Sequence, residues 1–146
     1  MVYVGTGAQF IMRSGTISGN AATGGYAGGV FIEGSATFTM EDGEISGNSN
    51  HGQNAGGVGV SAGAFYMNGG VIRKNYSSNH GGGVHIYSGS GVFIKTGGTL
   101  YGNDAGGDSN TAGVSGDAVF KTTGNRKRNN TAGPADNINS TNNTGI

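Results

Sequence analysis

Five phenylalanines, Phe10, Phe38, Phe65, Phe93 and Phe120, follow one another at 28, 27, 28 and 27 residues. The second opens the stretch Phe38-Thr39-Met40-Glu41-Asp42-Gly43-Glu44-Ile45-Ser46-Gly47-Asn48. Its residue types return in order at Phe10, Met12, Gly15, Ile17, Gly19 and Asn20, at Phe65, Met67, Gly69, Gly70, Ile72 and Asn75, and at Phe93, Gly97, Gly98, Leu100, Gly102 and Asn103. A fixed period of this size restricts the fold to a solenoid, in which each repeat is one turn and buries its apolar residues against the turns beside it.

Within each period three short apolar runs alternate as strands do. Strand a is Val2-Tyr3-Val4, Val30-Phe31-Ile32, Val58-Gly59-Val60 and Val84-His85-Ile86, with a weak echo at Val114. Strand b is the Phe-x-Met run, whose Met is lost at Phe93-Ile94-Lys95 and Phe120-Lys121-Thr122, and strand c is centred on Ile17, Ile45, Ile72 and Leu100. No segment keeps a helical apolar period, and glycine at this density would cost about 1 kcal/mol per residue inside a helix. The expected fold is therefore all-β, a right-handed three-sided parallel β-helix of about four to five coils over residues 1–124, with residues 125–146 as a polar tail or linker. Strand parity points Val30, Ile32, Phe38, Met40 and Ile45 inward and Phe31, Thr39, Glu44 and Ser46 outward. Stacking then makes ladders: Phe10, Phe38, Phe65, Phe93 and Phe120 inside, and a polar row of Asn20, Asn48, Asn75 and Asn103 at the corner after strand c. Asparagine carries donors and an acceptor, so one per coil can bond to the next along the axis. The Gly28-Gly29, Gly56-Gly57 and Gly82-Gly83 pairs mark a second corner that needs positive φ or close backbone approach.

Eight basic and eight acidic residues give no net charge, which argues against nucleic acid or an anionic membrane as partner. Leu, Ile, Val and Phe are only 26 of 146 residues, yet they are periodic, so stacking rather than disorder is the consistent outcome. The run Arg126-Lys127-Arg128 lies in the polar tail and reads as a solvated segment. There is no cysteine, hence no disulfide or thiolate site, and no run of apolar residues fits a signal peptide or a membrane span.

Phe-Thr-Met-x-x-Gly-x-Ile-Ser-Gly-Asn followed by Gly-Gly-Val resembles the Gly- and Asn-rich right-handed parallel β-helix repeats of bacterial surface and secreted proteins. More distantly it resembles polymorphic outer-membrane autotransporter repeats, whose Gly-Gly-Ala-Ile and Phe-x-x-Asn signatures are here Gly-Gly-Val and Ile-x-x-Asn. The resemblance covers roughly residues 1–122 and implies an exported structural or adhesive protein, extracellular or at the cell surface, with a signal lying upstream. It supplies no catalytic residue.

The expectation is thus a non-enzymatic solenoid with no cofactor and no metal site. The rival class is a carbohydrate-active β-helix enzyme of the pectate lyase or glycoside hydrolase kind, which would need paired carboxylates or a calcium site beside a basic residue. Glu41 is instead expected in a turn and Glu44 in an ion pair with Arg73 one coil away. His51, His80 and His85 are expected at exposed turn or outward positions, and Gly106-Gly107-Asp108 occurs once rather than every nine residues. Asn75-Tyr76-Ser77 has the pattern of a glycan acceptor, although the ladder already engages Asn75. Ice binding would require uniform threonine columns, whereas those expected here read Thr16, Glu44, Val71, Thr99 and Ile11, Thr39, Tyr66, Ile94, Lys121. The apolar part of the second column, Ile11, Thr39, Tyr66 and Ile94, is the expected outward contact face. Partners are expected to be further copies joined head to tail, neighbouring repeats, or a surface glycan or other host or cell partner. The edges for such assembly are Val2, Tyr3 and Val4 at one end, which carries no capping element, and Val119 and Phe120 at the other, with Phe120 stacking beneath Phe10 of the next copy.

Overall fold

The computed structural model describes residues 1–103 and 105–122. They form a β-solenoid of about four turns. The first coil contains β1 (Val2–Val4), β2 (Gln9–Met12), β3 (Thr16–Ser18) and β4 (Ala21–Ala22), and the second β5 (Val30–Ile32), β6 (Thr37–Met40), β7 (Glu44–Ser46) and β8 (Ser49–Asn50). The third has β9 (Val58–Val60), β10 (Ala64–Met67), β11 (Val71–Arg73) and β12 (Tyr76–Ser77). The fourth has β13 (Val84–Ile86), β14 (Val92–Lys95), β15 (Thr99–Leu100) and β16 (Thr111–Ala112), and β17 (Val119–Lys121) opens a fifth. Like strands stack in parallel as sheet A (β1-β5-β9-β13-β17), sheet B (β2-β6-β10-β14), sheet C (β3-β7-β11-β15) and sheet D (β4-β8-β12-β16). Sheets A, B and C are the three expected sides. Sheet D is an addition of two-residue strands just after the asparagine corner, where Ala21, Ser49, Tyr76 and Thr111 share no apolar signature.

The core fills the space between sheets A, B and C. Val30, Ile32, Phe38, Met40 and Ile45 are all fully buried, as strand parity requires. Phe10, Phe38, Phe65 and Phe93 stack in register, with ring centroids 5.1, 4.8 and 5.0 Å apart. Each such ring pair adds about 0.5–1.5 kcal/mol beyond its buried area. The two inner rings are fully buried and the two end rings half-buried, since each of the latter has a neighbouring ring on one side only.

Phe120 does not belong to this ladder. It lies in sheet A, where Val119 pairs with Val84, Phe120 with His85 and Lys121 with Ile86. The cause is an insertion: Asn110 stands 10 residues after Leu100, whereas Asn75 stands 3 after Ile72, and the extra length holds a 3-10 turn at Gly106–Asp108. The fifth strand of sheet A therefore begins at Val119, and the echo at Val114 is an exposed loop residue. The 27-residue step from Phe93 to Phe120 is a coincidence of that insertion. Lys121 likewise leaves the column of Ile94 and joins that of Ile86.

The same insertion displaces the last rung of the asparagine row. The side-chain amide of Asn20 donates to Asn48 Oδ1 (2.8 Å), that of Asn48 to Asn75 Oδ1 (3.0 Å), and that of Asn75 to Asn110 Oδ1 (2.9 Å). Asn103 is exposed, and Asn110, fully buried, takes the position expected of it. Each rung also ties the main chain. The backbone N–H groups of Asn48 and Asn75 donate to the next Oδ1 at 3.0 Å, and Asn48, Asn75 and Asn110 donate to the carbonyls of Ile17, Ile45 and Ile72 at 2.9 Å. The polar groups of a corner that excludes water are thereby satisfied.

At the other corner the glycine pairs serve close approach. A Cβ on Gly28 would lie 2.5 Å from the Gly56 carbonyl oxygen, and one on Gly56 would lie 2.5 Å from that of Gly82. Two inward columns change character in the last coils. Met12, Met40 and Met67 are followed by Lys95, and Val4, Ile32, Val60 and Ile86 by Lys121. The polar tail expected from residue 125 lies outside the described residues.

Candidate functional site

The middle residue of each sheet A strand points away from the core, and register sets Tyr3, Phe31, Gly59, His85 and Phe120 in one row along the axis. Gly59 leaves a gap that its neighbours fill. A Cβ there would lie 2.8 Å from the Tyr26 carbonyl oxygen and 3.2 Å from Phe31 Cδ2. The Tyr26 ring lies flat on Phe31 at 4.8 Å, and Tyr87 meets both edge-on at 5.7 and 6.1 Å. Tyr3 stacks on the far side of Phe31 at 6.1 Å. From Tyr87 the contacts continue to His85 at 4.2 Å, then to Phe120 at 5.2 Å and His80 at 4.3 Å. Seven rings thus form a continuous stripe across all five strands.

Phe31, although outward by parity, is buried beneath Tyr26, Ala27, Ala55 and Tyr87. The exposed members are Tyr3 at 56% and Tyr26 at 55%, with Tyr87, His80 and Phe120 half-buried. The Tyr87 hydroxyl donates to the carbonyls of Tyr26 and Asn54, fastening two loops over the sheet, and burial pushes its pKa up. The Tyr3 hydroxyl donates to the Glu33 carboxylate, and this bond raises the phenol's pKa. Glu33 is the one charged group hydrogen-bonded to a ring of the stripe among the described residues. His85, expected at an exposed position, is only 1% exposed. Its Nδ1 faces the His80 carbonyl at 3.4 Å and its Nε2 the Thr122 hydroxyl at 3.2 Å, an arrangement that suits the neutral ring protonated on Nδ1. Burial lowers its pKa to about 4.

Sheet B presents a second surface. Ile11, Thr39, Tyr66 and Ile94 align in register as expected, beside a second column of Gln9, Thr37, Ala64 and Val92. No residue of either column is charged, and Val92 is 39% exposed.

Sheet C carries the charges. Arg73 Nε bonds Glu44 at 2.9 Å, as expected, and its Nη1 bonds Asp108 at 2.8 Å, with Lys74 Nζ 3.3 Å from the same carboxylate. The Arg73 hydrogen bond holds the Glu44 carboxyl below its usual range. For Asp108 desolvation acts upward, but the bonds from Arg73 and Lys74 prevail and the pKa is lowered. Glu41 lies in the turn after β6 and bonds Arg13 at 3.3 Å. His51 is exposed and rests against Tyr76, and His80 Nδ1 lies 2.8 Å from Ser115 Oγ. Asn75, within an acceptor pattern, is fully buried and held in the ladder.

The assembly edges expected from the sequence are opposite edge strands of sheet A: Val2, Tyr3 and Val4 in β1, Val119 and Phe120 in β17. The contact of Phe120 beneath Phe10 is ruled out by their membership of different sheets. Sequence reasoning missed Tyr26, Tyr87 and Asn110, and the bond of Asp108 to Arg73. The first two residues come from loops outside the repeat, and Asn110 and Asp108 from the insertion.

Compared with known proteins, the chain matches no family model, no curated protein and no solved structure.

Proposed function

We propose that this chain is a non-enzymatic structural and adhesive β-solenoid of a surface or secreted protein, packed among neighbouring repeats and presenting its outer faces to a partner. The observation that carries this is the use made of its ionisable side chains. Glu44, Arg73, Lys74 and Asp108 fasten the inserted turn across coils, Arg13 and Glu41 join two coils, and His80 and His85 bond to Ser115 and Thr122. Groups whose protons and charges are engaged in holding coils together are poorly placed for acid-base work, which needs them turned toward a substrate. The likeness to Gly- and Asn-rich surface repeats supports the same reading.

Head-to-tail association would continue sheet A, setting Val119 beside Val2 and Phe120 beside Tyr3 of the next copy. Lys95 and Lys121 mark a mismatch with such a contact, because they would stand in register with Met12 and Val4 of the next copy, where the inner coils set apolar residues against apolar ones.

The rival enzyme reading is tested by incubating the protein with acidic and neutral polysaccharides, with and without calcium, and following chain length and new reducing ends. No depolymerisation is expected. Turnover that disappears in Asp108→Ala or Glu44→Ala would overturn the proposal.

A further inference from the structure

We propose that the aromatic stripe on sheet A is a binding track for a neutral β-linked hexose polymer lying along the solenoid axis. The inference rests on the adhesive reading and specifies its ligand and its site.

Three features of the stripe select this chemistry. First, tyrosine offers an apolar ring with a polar tip and orders few side-chain torsions on binding. A hexose in its chair form has the complementary character: C–H groups on its faces that pack on a ring, and hydroxyls around its rim that need polar neighbours. The exposed Tyr3 and Tyr26 supply ring surface, and the Glu33 carboxylate bonded to the Tyr3 hydroxyl supplies an acceptor for the rim. Second, charge excludes the alternatives. Glu33 is the charged group bonded to the stripe and His85 is held neutral, so an acidic polysaccharide or a nucleic acid meets repulsion rather than a cation. Third, the track has a period. Parallel strands recur about every 4.8 Å, so the five strands of sheet A span about 19 Å, and one strand spacing is close to the advance of one hexose in an extended chain. A polymer laid along the axis can thus place successive sugars over successive coils.

A peptide partner fits less well. Strand addition could use only β1 and β17 at the two ends of the stripe, because β5, β9 and β13 are already paired on both sides.

The interaction is measured by titration calorimetry and affinity electrophoresis of the whole chain with a soluble neutral β-glucan, and with polygalacturonate as the charged comparison. The expected result is binding to the neutral polymer that is insensitive to salt. Tyr26→Ala should weaken it about tenfold or more, the loss of a central aromatic contact. Tyr76→Ala, an exposed tyrosine on sheet D away from the stripe, should leave it unchanged. Thermal melts confirm that both variants are folded, and Tyr3→Ala gives a second reading at the end of the track.

The proposal is overturned by failure to retain the neutral polymer, by equal affinity of the Tyr26→Ala and Tyr76→Ala variants, or by salt-sensitive binding of polygalacturonate instead. Concentration-dependent dimerisation abolished by Tyr26→Ala would also overturn it, by assigning the stripe to a second copy. A polymer neither bound nor cleaved refutes only this inference, whereas cleavage refutes the proposed function.

Discussion

Asn75→Ala removes one rung of the ladder while leaving every coil its apolar residues. The fully buried Asn75 side chain makes four hydrogen bonds: its amide donates to the Ile45 carbonyl and to Asn110 Oδ1, and its Oδ1 accepts from the backbone N–H and the side-chain amide of Asn48. Alanine leaves the Asn48 N–H without its acceptor in a place water does not reach, a loss of about 1–3 kcal/mol, and removes three further bonds of about 0.5–1.5 kcal/mol each. The sum, about 2.5–7.5 kcal/mol, is comparable with the whole stability of an ordinary domain. Urea denaturation followed by circular dichroism, with the slope unchanged, measures it. The control is built into the fourth coil. Asn110→Ala should destabilise by several kcal/mol, whereas exposed Asn103→Ala should stay within about 0.5 kcal/mol of the parent, as surface changes do. Equal effects at 103 and 110, or a loss below about 1 kcal/mol at Asn75, would refute the argument that the row holds the coils together.

Gly47 has φ of +62° and open space where a Cβ would sit, so Gly47→Ala tests backbone conformation alone and should lower stability by about 1–2 kcal/mol in a urea titration. His85 is neutral in the fold down to about pH 4 but titrates near 6.5 when unfolded. The unfolded chain therefore binds the proton first as pH falls, and stability declines from about pH 6.5 toward 4 by up to about 3 kcal/mol. His85→Phe should flatten that slope in urea midpoints taken across the interval, and an unaltered slope would contradict the assignment. Arg73→Ala frees Glu44 and leaves Asp108 held by Lys74 alone, and should speed proteolytic cleavage of the inserted turn with little change in the urea midpoint, because these ion pairs are partly exposed.

The architecture was legible because a solenoid writes its register into its sequence. Residues one coil apart occupy the same environment, so Phe10, Phe38 and Phe65 announce one another, and alternation along each strand sorts core from surface. That logic fails where the period is broken. The residues inserted between Leu100 and Asn110 are polar and small, and the Gly102-Asn103 that opens them copies the Gly47-Asn48 and Gly19-Asn20 of earlier corners, so the local motif pointed to the wrong asparagine. The copy is incomplete in space because the inserted turn must first bring Asp108 to Arg73 before the chain can rejoin its neighbour at Thr111. The aromatic stripe was hidden for another reason. Its row is only partly periodic, with Gly59 empty and the missing ring supplied by Tyr26 from a loop of the first coil. No spacing rule relates a loop residue to a strand two coils away, and Phe31 and His85, outward by parity, gave no sign that loops would cover them.

The lysines at the ends of two inward columns bear on how such a molecule can be lengthened. Within the stack, each coil is a mould for the one beside it, since its inward residues fix which side chains the neighbour must offer. Met67 asks for an apolar counterpart and receives the stem of Lys95, and Ile86 receives that of Lys121. A mould whose last turn carries lysine where earlier turns carry methionine or isoleucine no longer repeats the pattern before it, and copying that turn would stack lysine on lysine one strand spacing apart. Its interior is different: the second and third coils accept each other on both faces with the same residue types. A duplicate of residues 38–64 inserted after Ala64 would meet Phe38-like and Phe65-like surfaces above and below, and would lengthen the rod by one turn while leaving both of its original ends in place.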